Sequence, residues 1–162
     1  MVVPTTHFCV NKRMKNHLDI PPFWTLGAII TSWLLSGLAP IALVDIAFIR
    51  LIAPMIMLCA MLLIVWSGFW VRRKMTGIEP RKQPTSLIVE GPYRLSRNPI
   101  YLAMVVMSFG FALWLSALSA ILPVIGLVFV LRNRFVLPEE AVLIDTFGDE
   151  AHAYIRQTRR WV

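Results

Sequence analysis

Two short stretches of this sequence hold the residue types from which a binding or catalytic site can be built. The first runs Gly91-Pro92-Tyr93-Arg94-Leu95-Ser96-Arg97-Asn98-Pro99-Ile100-Tyr101-Leu102. Its arginines can hold an anion by charge-assisted hydrogen bonds, and its tyrosines offer ring faces to a cation. Pro99 suits the first residue of a helix with Asn98 as its cap, and the backbone N–H groups of such a helix start can hold a carboxylate. The second stretch runs Arg132-Asn133-Arg134-Phe135-Val136-Leu137-Pro138-Glu139-Glu140. Pro138 cannot donate to the carbonyl of Arg134, so a helix should kink or restart there. Glu139 and Glu140 lie about 100° apart on a helix and should not face the same pocket. On composition alone the first stretch also reads as a loop anchored among lipid headgroups, and the glutamates as charges complementing a helix dipole.

The elements that must position these stretches follow from the apolar runs. Of 162 residues, 57% are hydrophobic and 15% charged, whereas soluble domains run near 45–50% and about 25%. That balance excludes a disordered chain and a collagen-like fibre, and two cysteines are too few for a disulfide scaffold. A hydrocarbon core about 30 Å thick needs about 20 helical residues. Residues 20–44 and 51–71 carry no charge and predict two spans, separated by a turn around Pro40 to Asp45. Residues 98–131 are 34 uncharged positions, and one straight helix of that length would reach about 51 Å. The run must fold back, and the turn is expected at 115–119, with Trp114 as an interfacial anchor and two serines satisfying freed backbone groups. Beyond Pro138, Leu143, Phe147, Ala151, Tyr154 and Ile155 recur at helical spacing and predict an amphipathic helix interrupted at Gly148.

The expected fold class is therefore an all-α integral membrane protein. It has about four transmembrane helices, the last two a short hairpin, plus a C-terminal amphipathic helix. One membrane-embedded domain spans 1–162, divided into a tail at 1–19, two spans at 20–71, a loop at 72–98, the hairpin at 99–137 and a tail helix at 138–162. The net charge is +7, and of the 16 Lys and Arg residues all but Arg50 fall in three clusters: Lys12, Arg13 and Lys15; the stretch from Arg72 to Arg97; and the last 31 residues. With an even number of spans all three lie on one side, which the positive-inside rule makes the cytoplasm, so both termini are expected there. Anionic lipid headgroups account for these charges without nucleic acid, for which no recognition motif is present. A signal peptide at 1–40 fits less well, because its apolar core would be about 7–15 residues. Cys9 and Cys59 fall in different environments, so no disulfide is expected. His7, His17 and His152 lack the helical partners a metal site needs, and the methionines of 55–61 and 104–107 read as packing.

With the segments Gly91 to Leu102, Pro138-Glu139-Glu140, Phe147-Gly148-Asp149-Glu150, Tyr154 and Arg159-Arg160-Trp161 in this order and spacing, the sequence resembles the isoprenylcysteine carboxyl methyltransferase and phospholipid methyltransferase superfamily. The resemblance covers residues 84–162, and the two earlier spans agree in kind. It implies a membrane-embedded methyltransferase that takes S-adenosylmethionine from the cytoplasm and releases S-adenosylhomocysteine. By that similarity Gly91, Pro92, Tyr93, Arg94, Arg97, Asn98, Pro99, Tyr101, Leu102, Glu139 and Glu140 line the cofactor pocket, and Tyr154, Arg160 and Trp161 help to close it. A glutamate would pair with the cofactor's ammonium, and a helix start, Arg94 or Arg97 would hold its carboxylate. Tyr93 or Tyr101 would face its sulfonium.

Two departures from the eukaryotic pattern, Asn98 in place of histidine and Arg159 in place of proline, imply a bacterial branch and hence the bacterial inner membrane. Without that imidazole, a carboxylate or thiolate acceptor still needs no general base, only orientation and desolvation. Arg132 or Arg134 would hold such an anion. A phospholipid amine would instead pass its proton to Glu139 or Glu140. The expected partners are membrane lipids and a lipophilic methyl acceptor, with neither metal nor nucleic acid. Related membrane folds include NADPH-dependent reductases, for which no arginine-rich 2′-phosphate site is evident, and a non-enzymatic lipid-binding scaffold is the remaining class.

Overall fold

The computed structural model describes residues 19–41, 47–74 and 86–161, and among these the chain is helical without a strand. Helix α1 (Pro21–Leu38) starts on a proline whose missing N–H costs nothing in a first turn. It ends as Ala39 N–H returns to Leu35 O at 3.1 Å, directly before Pro40. The turn expected from Pro40 to Asp45 falls largely outside the described residues. Helix α2 (Ala47–Arg73) is longer than the uncharged run, taking in Arg50 at its start and Arg72 and Arg73 at its end. Long cationic side chains at helix ends reach polar surroundings while their stems stay apolar. Helix α3 (Pro99–Trp114) gives way to a turn at Leu115 and Ser116, where the apolar run was expected to fold back.

After that turn a 3-10 turn (Leu118–Ile121), α4 (Leu122–Leu131), a π-helical turn (Arg132–Val136) and α5 (Leu137–Phe147) join end to end. The kink or restart expected at Pro138 takes the form of a change of ladder, with α5 opening at Leu137 and Pro138 in its first turn. The helix runs through it, because the π turn widens the ladder just before the proline: Leu137 N–H bonds Arg132 O, five residues back. The break comes at Gly148, at φ +52, as its position in the amphipathic pattern implied, and α6 (Asp149–Gln157) follows.

Among the described residues, two helices are long and apolar enough to cross a membrane: Ala47–Arg73, of 27 residues, and Leu118–Phe147, of 30. Helices α1 and α3 are shorter, at 18 and 16 residues, so the four spans read from the sequence reduce here to two of full length. Leu118–Phe147 would extend about 45 Å, more than the hydrocarbon thickness, so one end of it must stand outside the apolar layer. Exposed Trp33, Phe48, Leu51, Met55, Leu58, Leu62, Val65 and Phe69 give α1 and α2 an outer surface suited to lipid and not to water.

Helix α3 packs along α2 and also touches α1 and α4. Buried Ala53, Ala60 and Ala103, with Gly110, keep the α2–α3 contact thin enough for the backbones to approach. Hydrogen bonds from Ser32 Oγ to Ala120 O (2.8 Å) and from Ser119 Oγ to Leu35 O (3.3 Å) tie α1 to the 3-10 turn before α4. Ser119 thus serves to join helices rather than to satisfy backbone groups freed at its own turn, since the Leu35 carbonyl also accepts from Ala39 N–H. Ser116, at φ +56, has a buried Oγ with no partner, so neither turn serine takes the expected part. A Cβ at Gly110 would lie 2.9 Å from Met57 Cγ and 3.2 Å from the Ala53 carbonyl oxygen. Gly110→Ala is accordingly expected to lower stability by about 1 kcal/mol. Gly27→Ala, with open space around it, should be neutral or stabilising by up to about 1 kcal/mol. Thermal unfolding of both variants in detergent checks the contrast.

Candidate functional site

At one end of the bundle, α2, the loop before α3, the first turn of α5 and the residues after α6 come together. Glu90 starts this loop, and the Lys74 ammonium bonded to it at 2.7 Å holds its carboxyl below the usual range. A 3-10 turn (Gly91–Arg94) follows, entered through Gly91 at φ +59. Only glycine takes that conformation readily, and here it also lets the backbone lie against the Trp70 ring. Pro92 is buried beneath the turn, and Arg94 is exposed.

From Ser96 to Asn98 the loop is bound to residues at the far end of the chain. Arg97 N–H donates to Arg159 O at 3.0 Å, and Ser96 Oγ and Asn98 Nδ2 both donate to Arg160 O at 3.2 Å. Pro99 opens α3 as its position implied, but the Asn98 side chain does not cap the helix. Its amide goes to the Arg160 carbonyl, while Ser96 Oγ accepts from Asn98 N–H at 3.2 Å. Leu102, partly buried, returns its N–H to Asn98 O.

The two glutamates face different partners, as their angular separation on a helix predicts. Glu139 accepts from Tyr101 Oη at 2.6 Å. Glu140 is buried and receives Arg160 in a fork, Nε to Oε1 at 3.0 Å and Nη2 to Oε2 at 2.7 Å. Arg97 Nη2 approaches Glu140 Oε1 at 3.4 Å from the other side. The Glu140 hydrogen bond is the main cause of the rise in the Arg160 pKa. Two guanidiniums thus share one carboxylate, and one positive charge is left over. The Arg97 side chain is only 9% exposed, yet its Nε and Nη1 have no hydrogen-bond partner. Buried donors are rarely left unmatched, so these two mark a place where an acceptor belongs.

Tyr154 Oη donates to Tyr93 O at 2.7 Å and fastens α6 to the loop. Burial pushes the hydroxyls of Tyr93 and Tyr154 well above the ordinary phenol range. Both stay protonated near neutrality and can donate but not serve as bases. Trp161 packs on the core cluster of Tyr101, Leu131 and Phe135.

The structure therefore brings Tyr93, Arg97, Asn98, Tyr101, Glu139, Glu140, Tyr154 and Arg160 to one end of the bundle in three bonded groups: Tyr93 with Tyr154, Tyr101 with Glu139, and Arg97, Asn98 and Arg160 around Glu140 and the residues after α6. Arg132 and Arg134 have other partners. Arg132 Nη1 bonds Asn133 Oδ1, and Arg134 pairs with Asp19 at 2.8 Å and lies over the Trp24 ring. A shallow groove of about 360 Å³ lined by Trp24, Phe129, Val130, Asn133 and Arg134 marks that face. Sequence reasoning missed Ser96 and Trp70. Ser96 stood within the motif, but Trp70 precedes Gly91 by a whole loop and gave no spacing signal. Among the described residues no cluster of His, Cys, Asp or Glu has the makings of a metal site.

No curated protein and no solved structure matches the chain. The family model described as phospholipid methyltransferase matches residues 48–150. The match begins in α2, earlier than the motifs alone suggested, and takes in the Gly91–Arg94 turn, Arg97, Glu139 and Glu140. With nearly two thirds of its length so matched, the chain belongs to the phospholipid methyltransferase family, a family of methyltransferases within the wider isoprenylcysteine and phospholipid methyltransferase superfamily.

Proposed function

We propose that the protein transfers a methyl group from S-adenosylmethionine to a lipophilic acceptor reaching the site from the bilayer at the cytoplasmic face. The observation that carries this reading is the pair of unpartnered, buried Arg97 donors beside Glu140. The methionine end of the cofactor carries a carboxylate and an ammonium, and these residues fit it: Arg97 Nε and Nη1 take the carboxylate, and Glu140 takes the ammonium. When bound, the cofactor supplies a methyl group activated on a sulfonium. In this reading the Tyr93 and Tyr101 rings would offer their faces to that cation, and Gly91, Pro92, Pro99 and Leu102 would shape the wall.

For a carboxylate or thiolate acceptor the chain needs only to hold and desolvate the nucleophile. Arg132, where the long helix leaves its apolar stretch and whose bonded partner is the neutral Asn133 amide, is the residue to hold it, since Arg134 is already paired with Asp19. A second reading, a phospholipid amine as acceptor, is favoured by the family's description. In that case Glu139, bonded by a neutral phenol, is the better proton acceptor, because Glu140 already faces two guanidiniums.

Arg97→Gln is expected to weaken S-adenosylhomocysteine binding about 10- to 100-fold, the value of one charge-assisted contact. Calorimetric titration measures it, and an unchanged affinity would remove Arg97 from the site. Methyl-labelled S-adenosylmethionine incubated with the protein and a bacterial lipid extract separates the acceptors. Label released as methanol by mild alkali identifies an ester and hence a carboxylate, whereas label retained in a headgroup identifies an amine. No transfer to any lipid would contradict the function proposed.

A further inference from the structure

Glu140 is asked to bind two cations. A carboxylate has about four acceptor sites. Arg160 claims both oxygens, with contacts at 3.0, 3.2 and 2.7 Å, and Arg97 Nη2 approaches one of them at 3.4 Å. Little of the carboxylate is left for another donor, and a third cation beside two guanidiniums would be repelled. The Arg160 side chain is 32% exposed, against 9% for Arg97, so Arg160 is the one with somewhere to go. It stands on residues 158–161, a strap that follows α6. The Arg160 fork, the Arg97 N–H to Arg159 O bond and the two donors to Arg160 O hold that strap to the loop before α3.

Resting on the reading that Glu140 receives the ammonium of S-adenosylmethionine, we propose that Arg160 and this ammonium compete for Glu140, so that cofactor binding unlatches the C-terminal strap. The loop is then free to admit the cofactor while Tyr154, on α6, keeps its bond to the Tyr93 carbonyl. Arg160 is in this account a gating residue whose contact opposes binding, and no bond is made or broken covalently.

The sign of the effect tests the proposal. Arg160→Gln, which removes the competing cation, is expected to bind S-adenosylhomocysteine about tenfold more tightly than the unaltered protein, and Arg160→Lys, which keeps the charge but loses the fork, to fall between. In the unaltered protein, saturating S-adenosylhomocysteine should raise hydrogen exchange at the Arg97 amide several-fold, because its acceptor is Arg159 O. That measurement needs no variant and stands even if Arg160→Gln folds poorly. Weaker binding by Arg160→Gln, or added protection of the Arg97 amide by the ligand, would overturn the latch while leaving the cofactor site intact. Failure of the unaltered, folded protein to bind S-adenosylhomocysteine would overturn the cofactor reading and the latch with it.

Discussion

Glu140→Gln is expected to cost at least 100-fold in affinity for S-adenosylmethionine and about 3 kcal/mol of stability. The two losses have different origins. Stability falls because the neutral amide leaves Arg97 and Arg160 without the carboxylate they share, and removing one member of a buried ion pair strands its partner. The figure sits at the low end of the usual range because Arg160 is partly exposed. Affinity falls because an amide oxygen is a poor partner for an ammonium and its NH₂ would point a donor at the same place. A double variant separates the effects. Adding Arg160→Gln removes one stranded cation and should restore part of the stability without restoring binding. Thermal unfolding in detergent and calorimetric titration of the single and double variants provide the readings. Retained affinity in a folded Glu140→Gln protein would mean that the cofactor's amino group lies elsewhere.

Gly91→Ala is expected to be nearly as damaging from a position with no charge at all. A Cβ there would fall 2.2 Å from Trp70 Nε1 and within 2.6 Å of two further ring atoms, on a backbone at φ +59. The left-handed conformation costs an alanine about 1–2 kcal/mol, and overpacking adds about 1–3 kcal/mol. Relief requires the Gly91–Arg94 turn to lift from α2, which shifts Tyr93 and, two residues beyond the turn, the Ser96 to Asn98 contacts with the strap. Cofactor affinity should therefore fall along with thermal stability. Trp70→Ala in the same chain removes the clash but not the backbone penalty, so it should recover only part of the loss. Full stability and binding in Gly91→Ala would show that the Trp70 contact does not position the site.

Much of the helical framework was legible because it depends on local chemistry. Pro99 could begin a helix and not continue one, a 34-residue uncharged run had to turn back, and Gly148 interrupted an amphipathic pattern. At Pro138 local rules say what a proline removes but not how the helix accommodates it. The π turn at Arg132–Val136 supplies that accommodation, and the helix continues. Residue types marked the polar stretches as places for charge, yet they did not assign the partners of those charges. Asn98 read as a cap because its partner, the Arg160 carbonyl, stands 62 positions away. Arg134 read as an anion holder because Asp19 and Trp24 lie at the start of a different helix. The unmatched donors of Arg97 were invisible for the same reason: burial and missing partners are properties of packing, which uniformly apolar helices do not encode in their periodicity.

The most direct test of the account is titration of the purified protein in detergent with S-adenosylhomocysteine, with NADPH titrated in parallel. The account predicts saturable binding at one site with a dissociation constant of roughly micromolar order, about −8 kcal/mol, and no binding of NADPH. A demonstrably folded protein that takes up NADPH, or neither ligand, would contradict it.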